Sequence, residues 1–318
     1  MLIFTNANAG THDTESIERV AGSLRAEGGI EVTVRPSRSP EDVHRALDGY
    51  ATGHGSAPAG PGGRPRVVAA GGDGSVHGLV AALHARGELD RYTVGLLPMG
   101  TGNDLARNLG IPLDPERAAR LLLDGAPREL DLLVDEDGGV VLNAVHVGIG
   151  AVAARSATRF KPYLKAAAFP VGAVLAGLRE TGWWLRVCAD GEPVTEGRFL
   201  MVALSNGSGI AGGAARLAAD AHPGDGRLEL VVSAATGPFA RVGYALHLRR
   251  GTHNRRDDVE YTTARNVTVT GEEFLVNSDG EVAGPYTHRS WTLRERAWQI
   301  IAPADDGGGE GDDGGGAS

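Results

Sequence analysis

Five residues constrain this chain more than any others. Gly71-Gly72-Asp73-Gly74-Ser75 lies between the apolar run Val67-Val68-Ala69-Ala70 and the helical pattern of Val76 to Ala85. A strand that passes straight into a helix through glycines has a backbone free to adopt left-handed conformations and to approach a ligand closely. The unpaired N–H groups at the start of such a helix carry partial positive charge and bind phosphate. Ser75 is positioned to cap that helix or to hydrogen-bond a phosphate oxygen. A tight strand–helix turn with a cap and no ligand is the plainer alternative.

The glycine run is not a P-loop, because no Gly-Lys pair occurs anywhere in the chain. Nor does it follow the Gly-x-Gly-x-x-Gly spacing of dinucleotide sites. Asp73 inside a phosphate cradle would repel its ligand unless a cation intervened. Mg²⁺ accepts such a carboxylate together with phosphate oxygens.

Two further junctions have the same character. Leu97-Pro98-Met99-Gly100-Thr101-Gly102-Asn103-Asp104-Leu105-Ala106-Arg107 joins another strand to another helix, and Asn6-Ala7-Asn8-Ala9-Gly10 follows the first strand. In an open parallel sheet such loops gather at the carboxyl edge, where ligands bind. The elements around them alternate: strands at Leu2–Phe4, Ile30–Val34, Val67–Ala70 and Thr93–Leu97; helices at Thr14–Ala26, Pro40–Leu47, Val76–Ala85, Asn103–Leu109 and Pro115–Leu123. A Gly/Pro/Ser-rich loop covers Thr52–Pro65. This pattern predicts a three-layer α/β domain over residues 1–128.

From Leu130 the strong segments are mostly β: Leu130–Val134, Val140–Val147, Leu185–Ala189, Arg198–Ser205, Arg227–Ser233, Asn266–Thr270, Glu273–Val276 and Trp298–Ala302. Turns of Gly, Asp and Pro separate them, which predicts a β-sandwich domain over 129–302 whose last segment packs back on the first domain. Helical insertions are expected near Pro162–Thr181 and Pro238–Arg249. Residues 303–318, rich in glycine and acid, cannot build a core and are expected to be a disordered tail.

Composition narrows the function classes. The chain has 318 residues and a net charge of −9, of which five acidic charges lie in the last sixteen residues, leaving a body of −4. That balance argues against a nucleic-acid partner. A single cysteine, Cys188, excludes an intramolecular disulfide and fits a reducing cytosol. The start lacks a basic signal-peptide region, and the longest apolar run, Ala166 to Leu178, is broken by Pro170 and too short to span a bilayer. The expectation is a cytoplasmic protein, peripheral at the inner membrane surface. A homodimer is carried as an open expectation.

With these motifs in place, the chain resembles the diacylglycerol kinase catalytic family, which includes bacterial soluble lipid kinases and sphingosine kinases. The matching residues are Gly71–Ser75, Pro98–Arg107 and Asp279-Gly280-Glu281, in order along nearly the whole length. The resemblance implies an ATP-binding α/β domain, a lipid-binding β-sandwich, and ATP- and Mg²⁺-dependent phosphorylation of a lipid hydroxyl, first of all diacylglycerol. It carries nucleotide contacts to Asn6, Ala7, Asn8, Ala9, Gly10, Ser37, Gly71, Gly72, Asp73, Gly74, Ser75 and Thr101. A magnesium network carries over to Asp73, Asp104 and Asp131. A second, structural magnesium carries over to the Asp225 side chain with backbone oxygens of His222 and Arg227.

The resemblance makes Glu281 the general base with Asp279 beside it; in some relatives the glycine-loop acid, here Asp73, takes that role. A carboxylate suits the task, because a lipid alcohol must lose its proton as it attacks phosphorus. On an extended segment Asp279 and Glu281 would face one side. Departures from the family pattern are Ala7 and Ala9, where Pro and Ser are common, and His77-Gly78, where Asn-Glu is common. Two rivals follow: a soluble-substrate kinase of the NAD kinase kind, and a catalytically weak nucleotide or lipid sensor. Basic Arg155, Arg159, Lys161 and Lys165 beside the apolar stretch suit anionic lipid or, equally, a core helix with a solvated end. Trp183-Trp184 is expected in the sandwich core.

Overall fold

The computed structural model describes residues 1–6, 11–53, 63–149, 151–152, 181–210, 212–213, 215–216, 218 and 221–304. Ala7 to Gly10, the centre of the Thr52–Pro65 loop, the basic and apolar stretch Arg155–Leu178 with its predicted helix, and the acidic tail from 305 lie outside the described residues.

Strands β1 (Leu2–Asn6), β2 (Thr33–Ser37), β3 (Arg66–Gly71) and β4 (Thr93–Pro98) form a parallel sheet in the order β2-β1-β3-β4. Helices α1 (Thr11–Gly28), α2 (Pro40–Gly53) and α3 (Asp73–Ala85) cross between them, and α4 (Asp104–Asn108) and α5 (Pro115–Asp124) follow β4. Successive side chains on a strand point to opposite faces, and both faces here are apolar. Leu2, Phe4, Val67, Ala69, Val94 and Leu96 pack against α2 and α3, whereas Ile3, Val68, Ala70 and Leu97 pack against α1 and α5. The strand order reverses between β1 and β3, so a crevice opens at their carboxyl ends.

The remaining strands are β5 (Ala126–Asp135), β6 (Val140–Val141), β7 (Ala144–Gly148), β8 (Trp183–Ala189), β9 (Glu192–Phe199), β10 (Met201–Ser205), β11 (Gly209–Ile210), β12 (Ala215–Arg216), β13 (Leu228–Ser233), β14 (Val259–Ala264), β15 (Asn266–Ser278) and β16 (Glu281–Ala302). They pair antiparallel around a second core that includes Val147, Leu185, Val202, Leu230, Phe274 and Trp291. Helix α6 (Pro238–Arg250) covers the far side of β10 and β13. The long β16 links the two halves: it pairs with β15 and β5, then joins β4 in parallel at Gln299 and Ile300.

Several elements depart from the sequence expectation. The predicted strand Val140–Val147 is two strands, because the backbone N–H groups of Leu142, Asn143 and Ala144 turn to the Asp279 carboxylate. Arg198–Ser205 divides between β9 and β10, and β14 had no counterpart in the expectation. Asn266–Thr270 and Glu273–Val276 are one strand with register shifts. Trp183 packs against the sandwich core as expected, but its neighbour Trp184 alternates outward and is 51% exposed.

Candidate active site

The centre of the crevice is a direct contact between two backbones. A Cβ placed on Gly100 would lie 2.5 Å from the Gly72 Cα, and one on Gly72 would lie 3.2 Å from the Gly100 Cα. No side chain fits between the two loops. Asn103 holds the arrangement: its Oδ1 accepts from the Gly100 N–H (3.1 Å) and its Nδ2 donates to the Gly100 carbonyl (2.8 Å). It does so from a left-handed conformation, φ 52°, that asparagine tolerates better than most residues. Sequence reasoning gave Asn103 no role. Its side-chain carbonyl and amide, placed three residues after a glycine, were the available signal.

Helix α3 starts at Asp73 with Gly72 as its N-cap, so Ser75 lies inside the first turn and does not cap it. Asp73 sits where the helix N–H groups emerge. Its Oδ1 accepts from the Leu105 N–H (3.1 Å), which locks the first loop to the second. Its Oδ2 faces Gly102: a Cβ there would lie 3.0 Å from it and 3.9 Å from the Asp104 Oδ2. The two carboxylates therefore flank Gly102. Asp104 Oδ1 accepts from the Gly212 and Gly213 N–H groups (2.7 and 3.3 Å), tying the α/β half to the β11–β12 hairpin.

Beside this centre runs a groove lined by Asn6, Ser37, Gly72, Gly74, Ser75 and Gly78, among others. Ser37 donates to the Thr5 carbonyl (3.3 Å), bringing the ends of β1 and β2 together. Gly78 leaves open space on its helix face, where a longer residue would project. Thr101 is exposed between the two glycines of the second loop. Helix α4 is only five residues long. The second loop therefore contributes Asn103 and Asp104 to the site, and the helix N-terminus that can face phosphate is that of α3.

Asp279 and Glu281 do not share a side of an extended segment, as the sequence suggested. Asp279-Gly280 is a two-residue turn with φ of 48° and 98°, and Ser278 pairs with Glu281 across it. The Asp279 carboxylate is turned inward, accepting from the N–H groups of Leu142 (2.6 Å), Asn143 (2.9 Å) and Ala144 (3.1 Å). Burial raises its pKa above the ordinary carboxylate value, against the opposing pull of His77 and these three donors. Glu281, one residue past the turn, is exposed. His77 bonds through Nε2 to the Val140 carbonyl (3.0 Å) and lies close enough to Asp279 to oppose the rise in its pKa.

Asp131 does not join Asp73 and Asp104. It is buried on β5, its Oδ2 accepting from Gly226 N–H (2.7 Å) and its Oδ1 from Arg296 N–H (2.8 Å). It thus braces the turn His222–Arg227. That turn is closed by its own bonds: the His222 carbonyl accepts from the Gly224 and Asp225 N–H groups (2.7 and 3.2 Å), and Asp225 Oδ1 accepts from Arg227 N–H (2.9 Å). Arg128 lies 3.1 Å from His222 Nε2. A carbonyl oxygen carries two lone pairs and a carboxylate two oxygens, so these bonds do not exclude the second magnesium expected at His222, Asp225 and Arg227. Among the described residues no three His, Cys, Asp or Glu side chains form a metal cage. The pair Asp73 and Asp104 does suit Mg²⁺, which is ordinarily held by one or two carboxylates and completed by substrate phosphates.

Comparison with known proteins agrees with this architecture. Residues 1–134 match the family described as the diacylglycerol kinase catalytic domain, and residues 143–302 match the YegS C-terminal NAD kinase beta sandwich-like domain. A probable lipid kinase YegS-like from Pseudomonas aeruginosa is 32% identical over 88% of this chain and 87% of its own length. A diacylglycerol kinase from Bacillus subtilis is 32% identical over 69% of this chain and 71% of its own. A solved structure of a putative diacylglycerol kinase from Bacillus anthracis superposes with a TM-score of 0.74 at 19% identity, covering 95% of this chain and 96% of that one. The last likeness is one of fold.

Proposed function

The chain belongs to the diacylglycerol kinase catalytic-domain family, and we propose that it transfers the γ-phosphate of ATP to a lipid hydroxyl with diacylglycerol as the first acceptor. Membership makes it a phosphotransferase of the lipid-kinase kind. The observation that carries the proposal is the pairing of Asp73 and Asp104 across Gly102, beside the start of α3.

The nucleotide lies in the groove between the ends of β1 and β2 and helix α3, with its phosphates toward Gly72 and Gly74. Glycines there let the phosphates approach the backbone, and the α3 N–H groups face their charge. Asp73 and Asp104 would hold Mg²⁺, whose charge offsets that of the phosphates when bound. Glu281 accepts the proton of the lipid alcohol as its oxygen attacks the γ-phosphorus. The bond to the β-phosphate oxygen breaks and ADP leaves. Asp279 acts as a positioning residue: it fixes the turn that carries Glu281 by gripping residues 142–144.

A soluble-substrate kinase of the NAD kinase kind has the glycine loop in common with this chain. The Gly100–Arg107 pattern and Asp279-Gly280-Glu281 favour the lipid. The test is to supply γ-labelled ATP and Mg²⁺ with micelles of diacylglycerol, phosphatidylglycerol or a sphingoid base, and separately with NAD. Label is expected in diacylglycerol. Label in NAD alone would overturn the assignment, and ATP binding without any transfer would make the protein a sensor.

A further inference from the structure

Helix α6 has two apolar faces, and the fold uses one. Ala240, Tyr244 and Leu248, spaced four apart, turn inward onto β10 and β13 with Met201, Ala203 and Val231. Val242 and Leu246, on the opposite side at the same spacing, are 61% and 53% exposed. Arg250 continues that outer row by one turn and is also exposed. A surface helix ordinarily turns polar side chains outward; this one shows an apolar pair followed by a cation.

The charge around it is one-sided. Residues Leu230 to Arg256 contain five arginines and no acid, in a chain of net charge −9. Arg256 is paired with Asp258. Arg250 and the exposed Arg255 make no ion pair among the described residues, and the acids that bound the stretch are the buried Glu229 and the exposed Asp257. The helix also borders the site. It packs on β12, whose partner β11 abuts α4, and Gly212 and Gly213 between those strands donate to Asp104.

We propose that the outer face of α6 docks on an anionic bilayer, Val242 and Leu246 entering the acyl boundary and Arg250 and Arg255 meeting the headgroups. The proposal rests on the lipid-kinase reading, since a membrane-resident acceptor gives the docking its purpose. Two apolar side chains offer far less than the roughly 1,200 Å² of a stable protein interface. A bilayer requires no such area, and it supplies both an apolar layer and anionic phosphates. Docking there places the β11–β12 strands, and through Gly212 and Gly213 the Asp104 loop, beside the helix that meets the membrane holding the acceptor.

The test is sedimentation with vesicles of phosphatidylglycerol and phosphatidylcholine, against vesicles of phosphatidylcholine alone. Wild-type protein is expected to bind the anionic vesicles more tightly, and added salt to weaken that binding. The double variant Val242→Ser/Leu246→Ser is expected to bind about tenfold or more weakly, and Arg250→Glu roughly fivefold or more weakly. Both should retain ATP affinity and activity toward a water-dispersed short-chain diacylglycerol. Unchanged vesicle binding in both variants would overturn the proposal. So would a wild-type dimer that the double variant dissociates with vesicle binding intact, since the face would then pair two copies. Variant-sensitive vesicle binding in a protein that phosphorylates NAD and no lipid would leave docking standing and remove the lipid-kinase assignment; lipid phosphorylation with variant-insensitive binding would do the reverse.

Discussion

The Cα of Gly72 lies 2.5 Å from where a side chain on Gly100 would have to begin. This contact makes two separate loops into one surface. It predicts an asymmetry between conservative substitutions. Gly100→Ala should destabilise the protein by about 1–3 kcal/mol through overpacking against backbone that cannot yield and should weaken ATP binding. Gly72→Ala, with 3.2 Å available, should do less of both. Urea melts and nucleotide titrations of the two variants check the order; equal tolerance at both positions would mean the loops are not in contact.

Asp73 has one oxygen bound to the Leu105 N–H and the other facing Asp104. Asparagine can keep the first bond but lacks the charge for a cation. Asp73→Asn is therefore expected to fold like the wild type and to lose kcat by about 100-fold or more. Mg²⁺ dependence of the residual rate should weaken as well. Near-normal turnover would remove Asp73 from the site.

Glu281 and Asp279 should separate cleanly. Glu281→Gln is expected to lower kcat by roughly 10²- to 10⁴-fold with ATP affinity and stability retained. Asp279→Asn turns an amide toward three N–H donors, and is expected to cost about 1–3 kcal/mol of stability. Thermal melts alongside kinetics distinguish them. Loss of ATP binding in Glu281→Gln would mark that residue as a metal or structural group.

How far these roles were legible in the chain differs from one motif to the next. The junctions at 71–75 and 98–107 could be read because each is local: an apolar strand, glycines, then a helical period. Asp279 could not be read in the same way. Its partners are the N–H groups of Leu142 to Ala144, more than 130 residues away in sequence, and their demand interrupts what looks like one strand from Val140 to Val147. Family likeness groups Asp131 with Asp73, yet its carboxylate serves Gly226 and Arg296. Strand β16 spans 22 residues of mixed polarity because it crosses from sandwich to parallel sheet, and only its apolar end, Trp298–Ala302, announced itself.

The Asp279 carboxyl also predicts a pH dependence. Burial raises its folded-state pKa above the unfolded value of about 3.9, so the folded protein holds that proton more tightly. The resulting stabilisation is full below the unfolded value and is lost as pH rises through the window up to the raised folded value. The lowered carboxyls of Glu88 and Asp258 act the other way in both proteins, so the decline is read as the difference in unfolding free energy between wild type and Asp279→Asn across acidic pH. The same slope in both proteins would place the proton elsewhere.

The most direct test of the central claim is the fate of the γ-phosphate itself. Purified protein, γ-labelled ATP, Mg²⁺ and diacylglycerol micelles should give label in the lipid phase, with Asp73→Asn and Glu281→Gln each reducing it to near background. Label that stays with ATP, or passes to NAD and not to lipid, would contradict the account.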